Sequence, residues 1–222
     1  MIIVVLLLIL SISIGFYIYI RLTYNKYKKI KTKNDLSGFE VSRKIIDNYD
    51  LNNIYITESK MQLISRYDSN RKVIRLTNKI FNDNSIVSCA ISSIEASHAI
   101  LDKKNDQMFH IKEKINPVAN ILLVLGYIIT IIGCFFGHVN TIVLGLSLID
   151  LLLLYNVIFY KVEKKSIAIS MVELIDNKII TKSEIKKIEE LLKVSSFTSF
   201  ASIIFPVVEL IKKILIFGDS NK

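Results

Sequence analysis

PVANILLVLGYIITIIGCFFGHVNTIVLGLSLIDLLLLYNVIFY, residues 117–160, contains one acid, Asp150, and no lysine or arginine. An α-helix rises 1.5 Å per residue, so about 20 apolar residues cross a hydrocarbon core of ~30 Å. The stretch divides at His138, Val139 and Asn140 into two runs of that length, VANILLVLGYIITIIGCFFG and a second from Thr141 to Tyr160. So short a link between two spans predicts a tight antiparallel transmembrane hairpin.

Charge outside the hairpin sets a direction. Lys112 and Lys114 precede it, Lys161, Lys164 and Lys165 follow it, and its outer turn has neither Lys nor Arg. Residues 1–20, MIIVVLLLILSISIGFYIYI, are uncharged and are followed by Arg21, Lys26, Lys28, Lys29, Lys31 and Lys33. A cleavable signal peptide has a basic region before its apolar run and small residues after it, and both are missing here. Residues 1–20 therefore read as a retained N-terminal transmembrane helix. By the positive-inside rule all three basic clusters predict polar segments on the cytoplasmic side, with the N-terminus outside.

Composition agrees with this segregation. The 222 residues are 51% hydrophobic with 22% charged and a mean hydropathy of +0.44, so apolar and charged residues fall in blocks. The net charge of +9 lies beside hydrophobic segments, where anionic lipid headgroups attract it. No nucleic-acid recognition motif accompanies that charge, and nucleic acid is not an expected partner. Cys89 and Cys134 have no paired spacing that suggests a disulfide framework.

The polar segments have their own periodicities. SGFEVSRKIIDNY, from Ser37, reads as an amphipathic helix opened by an S-x-x-E capping box of Ser37 and Glu40. Residues 54–64 and 72–77 read as short strands joined through YDSNRK, a small β-hairpin. Residues 85–104 return to helical spacing, with Val87, Ile91, Ile94, His98 and Leu101 on one stripe. KSEIKKIEELLK, residues 182–193, predicts a charged amphipathic helix. Residues 197–217 are apolar but interrupted by Pro206, Glu209, Lys212 and Lys213, which suits a membrane-associated helix lying at the interface or one packed against protein. The fold class is mainly α with a small β-hairpin, in four segments: 1–20, 21–115, 117–160 and 161–222.

Chemistry concentrates in Ile94, Glu95, Ala96, Ser97 and His98. In H-E-x-x-H two histidines one turn apart share a zinc while the glutamate works on its bound water. Here the first histidine is an isoleucine, and Glu95 and His98 alone are ordinary helix neighbours. The surrounding pieces extend the likeness. LSGFEVSRKIID (36–47), RYDSNRKVIRLTNKIF (66–81), SIVSCAISSIEASHAIL (85–101) and KVEKKSIAIS (161–170) together resemble the neutral zinc metallopeptidases of bacterial membranes, the YugP-like family. The resemblance implies a zincin-like membrane protein of the bacterial cytoplasmic membrane. It also implies Glu95 as the catalytic carboxylate, His98 as a metal ligand and Glu163 as the third ligand.

Departures from the family pattern bear on the same residues. Ile94 stands where the first ligand histidine is expected, and Arg66 replaces a further histidine, although Tyr67 and Asp68 remain. Ser97 replaces a glycine, and Lys164 and Lys165 follow Glu163 in place of polar and apolar residues. A catalytic zinc takes about three protein ligands and an open position for water, and Ile94 leaves two. Asp102, four residues after His98, could shift the site to His98, Asp102 and Glu163. Cys89 points off the opposite helix face, His110 lies beyond a polar break, and His138 lies at the opposite membrane face.

The expectation is a membrane-anchored metallopeptidase homologue that is catalytically inactive, binds no cofactor, contacts the bilayer and acts by binding a membrane or cytoplasmic protein. The alternative is an active zinc metallopeptidase with an unusual ligand set. A third reading, transport or lipid binding, rests on Asp150 alone, which more simply hydrogen-bonds Ser or Asn at a helix interface.

Overall fold

A computed structural model describes residues 2–59 and 65–204. The chain is mainly helical with one small sheet. In order it forms α1 (Ile2–Tyr27), α2 (Gly38–Asp47), β1 (Tyr55–Ser59), β2 (Arg66–Asp68), β3 (Val73–Thr77) and α3 (Asn78–Phe81). Then come α4 (Ile86–Lys103), α5 (Gln107–Phe136), α6 (Val139–Asp176), α7 (Ile185–Ser195) and α8 (Thr198–Ala201). Contacts divide it into two units, one of residues 1–20, 115–158 and 197 onward, the other of 21–114 and 159–196.

Among the described residues three helices are long and apolar enough to cross a membrane, Leu6–Tyr27, Gln107–Phe136 and Val139–Asp176. The last, at 38 residues, extends about 57 Å, so only part of it fits a ~30 Å core. Gly137, at φ +67°, ends α5, and the His138 amide donates back to the Gly133 carbonyl at 2.9 Å. That left-handed stop returns the chain into α6 after two residues. The returning helix lies close: a Cβ on Gly145 would come 2.6 Å from the Thr130 nitrogen. Val4, Leu8, Ile121, Ile131, Leu154 and Val157 are each more than half exposed on these helices, a surface suited to lipid.

Pro117 does not begin the helix. α5 starts at Gln107, where the Asp106 carboxylate accepts the Phe109 amide at 2.9 Å as an N-cap, and Pro117 lies inside. The ring costs the Glu113 carbonyl its helical partner, a loss that neighbouring turns tolerate. α6 likewise runs past Tyr160 without a break. Both apolar runs thus continue as polar helix into the second unit.

The second unit is built around α4. Ser85 caps it, accepting the Ser88 amide, and its fully buried Ile86, Cys89, Ala96 and Ile100 make the core with Val41, Ile45 and Ile46 of α2. The expected capping box opens α2, with the Ser37 amide 2.7 Å from a Glu40 oxygen. Ser42 donates to the Ser92 carbonyl at 3.1 Å, and the Ser97 and Ser170 hydroxyls meet at 2.8 Å. α7 buries Ile188, Leu191 and Leu192.

The sheet has order β1-β3-β2. β2 and β3 form the hairpin, antiparallel, with Tyr67 opposite Ile74. β1 joins the other edge of β3 in parallel, Tyr55 opposite Val73, so the two segments read as hairpin arms are a parallel pair. The residues expected to join them include Tyr67 and Asp68 of β2. Residues 60–64, and the membrane-associated helix expected over 197–217 beyond Ile204, lie outside the described residues.

Candidate functional site

Glu95 and His98 occupy the middle of α4, both substantially buried, and Glu163 faces them from α6. His98 Nδ1 lies 3.2 Å from Glu95 Oε2. The same carboxylate oxygen accepts the Tyr67 amide at 2.8 Å, so the start of the hairpin holds it from the other side. On the far side of the ring, His98 Nε2 stands 3.7 Å from Glu163 Oε2, an ion-pair separation longer than a hydrogen bond. Among the described residues, Nε2 is one of the few buried polar atoms with no hydrogen-bond partner. The Phe109 ring lies over His98 with centroids 5.8 Å apart.

A fourth group completes the cluster. Lys112, in the first turns of α5, places its ammonium on Glu163 Oε1, and its side chain is only 13% exposed. Two carboxyl groups therefore face two basic groups inside the unit. Burial pushes the His98 imidazole down, but Glu163 and Glu95 outweigh it and raise its pKa to about 9. Burial would raise the Glu163 carboxyl, but Lys112 and His98 hold it well below the usual carboxylate range. Burial likewise lowers Lys112, and Glu163 more than reverses this. All three lie on the polar continuations of α5 and α6 or on α4, outside the apolar runs.

The family described as "Putative neutral zinc metallopeptidase" matches residues 1–218. The chain belongs to this family. It is similar to the "Putative membrane protease YugP" of Bacillus subtilis (strain 168), with 23% identity over 198 residues, 89% of this chain and 88% of that one. No solved structure matches it. Family membership and three long apolar helices make it a membrane protein.

The structure gathers some of the residues singled out from the sequence and disperses others. Glu95, His98 and Glu163 come together, and Ile94 is buried one turn before His98. Tyr67 joins them through its backbone, while its hydroxyl donates to Asp102 at 2.6 Å. Asp102 itself is engaged by Tyr67 and by Lys72 at 2.5 Å. Asp68 serves the hairpin, accepting the Arg71 amide and pairing with Arg75 at 3.2 Å. Arg66 is exposed, because alternation along β2 sends its side chain opposite to that of Tyr67.

His110 lies 3.7 Å from Asp102, and Cys89 is fully buried. In the first unit, Asp150 Oδ2 is buried without a hydrogen-bond partner.

Lys112 escaped the sequence reading, which used it only as a charge beside the membrane. A signal existed. Lys112 stands 25 residues before Gly137 and Glu163 stands 25 after His138, so a hairpin folded at that turn sets them across from each other.

Proposed function

We propose that this protein is a metal-free, non-hydrolytic member of its metallopeptidase family that acts by binding another protein at the membrane. The observation carrying this reading is Ile94: the position one turn before His98 holds a buried side chain with no donor atom. Two donors face one another here, His98 Nε2 and Glu163 Oε2, whereas a catalytic zinc takes about three from the protein. One of the two, Glu163, is already occupied by a lysine ammonium. The donor set does not fit a catalytic zinc, and without acidified water Glu95 has no proton to remove. Nor does Nε2 require a metal, since closing by about half an ångström gives it a hydrogen bond to Glu163.

The three basic clusters support a cytoplasmic position for the polar unit, in a bacterial cytoplasmic membrane, with the N-terminus outside. With hydrolysis gone, what remains is an anchored surface suited to a membrane or cytoplasmic partner. Elemental analysis of the purified protein tests the metal-free reading: the expected content is no zinc, and one tightly held zinc per chain overturns it. The unpartnered Nε2 favours the second reading, an active enzyme with an unrecognised ligand. That reading requires chelator-sensitive peptide cleavage that is lost in Glu95→Gln.

A further inference from the structure

Three helices converge on one carboxylate. Glu163 of α6 receives Lys112 of α5 on Oε1 and faces His98 of α4 across 3.7 Å on Oε2. Building on the metal-free reading above, we propose that the Lys112 ammonium holds the place of a metal cation, satisfying Glu163 and excluding divalent ions even when a third donor is supplied. Ile94 is then only half of what separates this site from a zinc site.

The argument rests on position and charge. A dication binding Glu163 must either share the carboxylate with an ammonium already in contact with it or displace that ammonium. Sharing sets like charges a few ångströms apart in surroundings where water screens them poorly. Displacement must find a new partner for a lysine whose side chain is 13% exposed and whose helix is pinned by the Asp106 cap three residues before Phe109. Both routes are costly. An ammonium also gives what a structural cation gives, attraction to a buried carboxylate, without needing a defined ligand number. The cluster can lose its metal and keep its helices together.

Zinc affinity tests this in full-length protein purified in detergent, measured by elemental analysis and competition with a chelator of known affinity. Four forms are compared: unaltered, Ile94→His, Ile94→His with Lys112→Met, and Ile94→His with Lys112→Arg. The Met double variant should bind one zinc per chain about 10- to 100-fold more tightly than Ile94→His alone, the range for a group that engages a ligand directly. The Arg double variant, which keeps the cation, should stay with the single variant. If the Met form does not fold, as judged by a cooperative thermal transition, Lys112→Gln replaces it in the same comparison. Equal zinc affinity with and without Lys112, or no zinc in any folded double variant, overturns the proposal. Zinc in the unaltered protein would instead end the metal-free reading, whereas equal affinity in the Ile94→His background ends only this one.

Discussion

Two buried carboxylates on neighbouring helices each hold a lysine, and they differ in where that lysine stands. Asp102, at the end of α4, takes Lys72, whose side chain is 45% exposed, beside a cavity of about 250 Å³ also lined by Asp50 and Lys103. Glu163 takes Lys112, which is 13% exposed and shut in with Glu95 and His98. At Asp102 the carboxylate is buried but its lysine reaches solvent, whereas at Glu163 both ends are shut in, so the two pairs differ in how far water can stand in for the cation.

The sharpest way to break this contrast is Glu163→Leu, which strands Lys112 beside His98. It should cost about 3–5 kcal/mol in chemical denaturation of the detergent-solubilised protein, the range for breaking one side of a buried pair. A loss under ~1 kcal/mol would mean that the interior cluster is as replaceable as the exposed one.

Next comes pH. His98 is raised from 6.5 to about 9, so its contribution is fully present below 6.5 and fades as pH rises through 9. The melting temperature should decline across that window, and His98→Gln should flatten the decline. A slope unchanged by that substitution would assign it elsewhere.

Smaller effects belong to the open pair. Tyr67→Phe removes the hydroxyl donated to Asp102 and should cost about 1–2 kcal/mol, because Lys72 still serves the carboxylate. Lys72→Met should cost about 1 kcal/mol, because the ammonium is 45% exposed and the Tyr67 hydroxyl still serves the buried carboxylate. Equal losses for Lys72→Met and Lys112→Met would erase the distinction between the two sites.

Much of the architecture was legible because it is written in hydropathy. The charge-free run after Pro117, the link at His138 and the leading helix needed only length and charge to read. The Ser37–Glu40 box and the α4 stripe needed only short-range spacing. What escaped depends on partners far along the chain. β1 pairs in parallel with β3 because β2, only Arg66–Asp68, takes the antiparallel edge, and three residues leave too little pattern to see. Arg66 stands where the family pattern has a histidine, yet alternation along β2 turns its side chain outward. Asp102 looked free for a metal because neither Tyr67 nor Lys72 is near it in sequence. Glu95, His98 and Glu163 were found through family resemblance, and Lys112 was missed because that resemblance described ligands and not what stands in their company.

The equal spacing of Lys112 and Glu163 about the turn makes the hairpin a ruler. Removing one residue from the apolar part of either helix would swing its polar continuation by about 100° and draw it back 1.5 Å, turning the lysine away from its carboxylate. Leucine for isoleucine within those runs would go unnoticed by Glu163. The contact between Lys112 and Glu163 therefore depends on the residue count of the apolar runs and not on which apolar residues fill them.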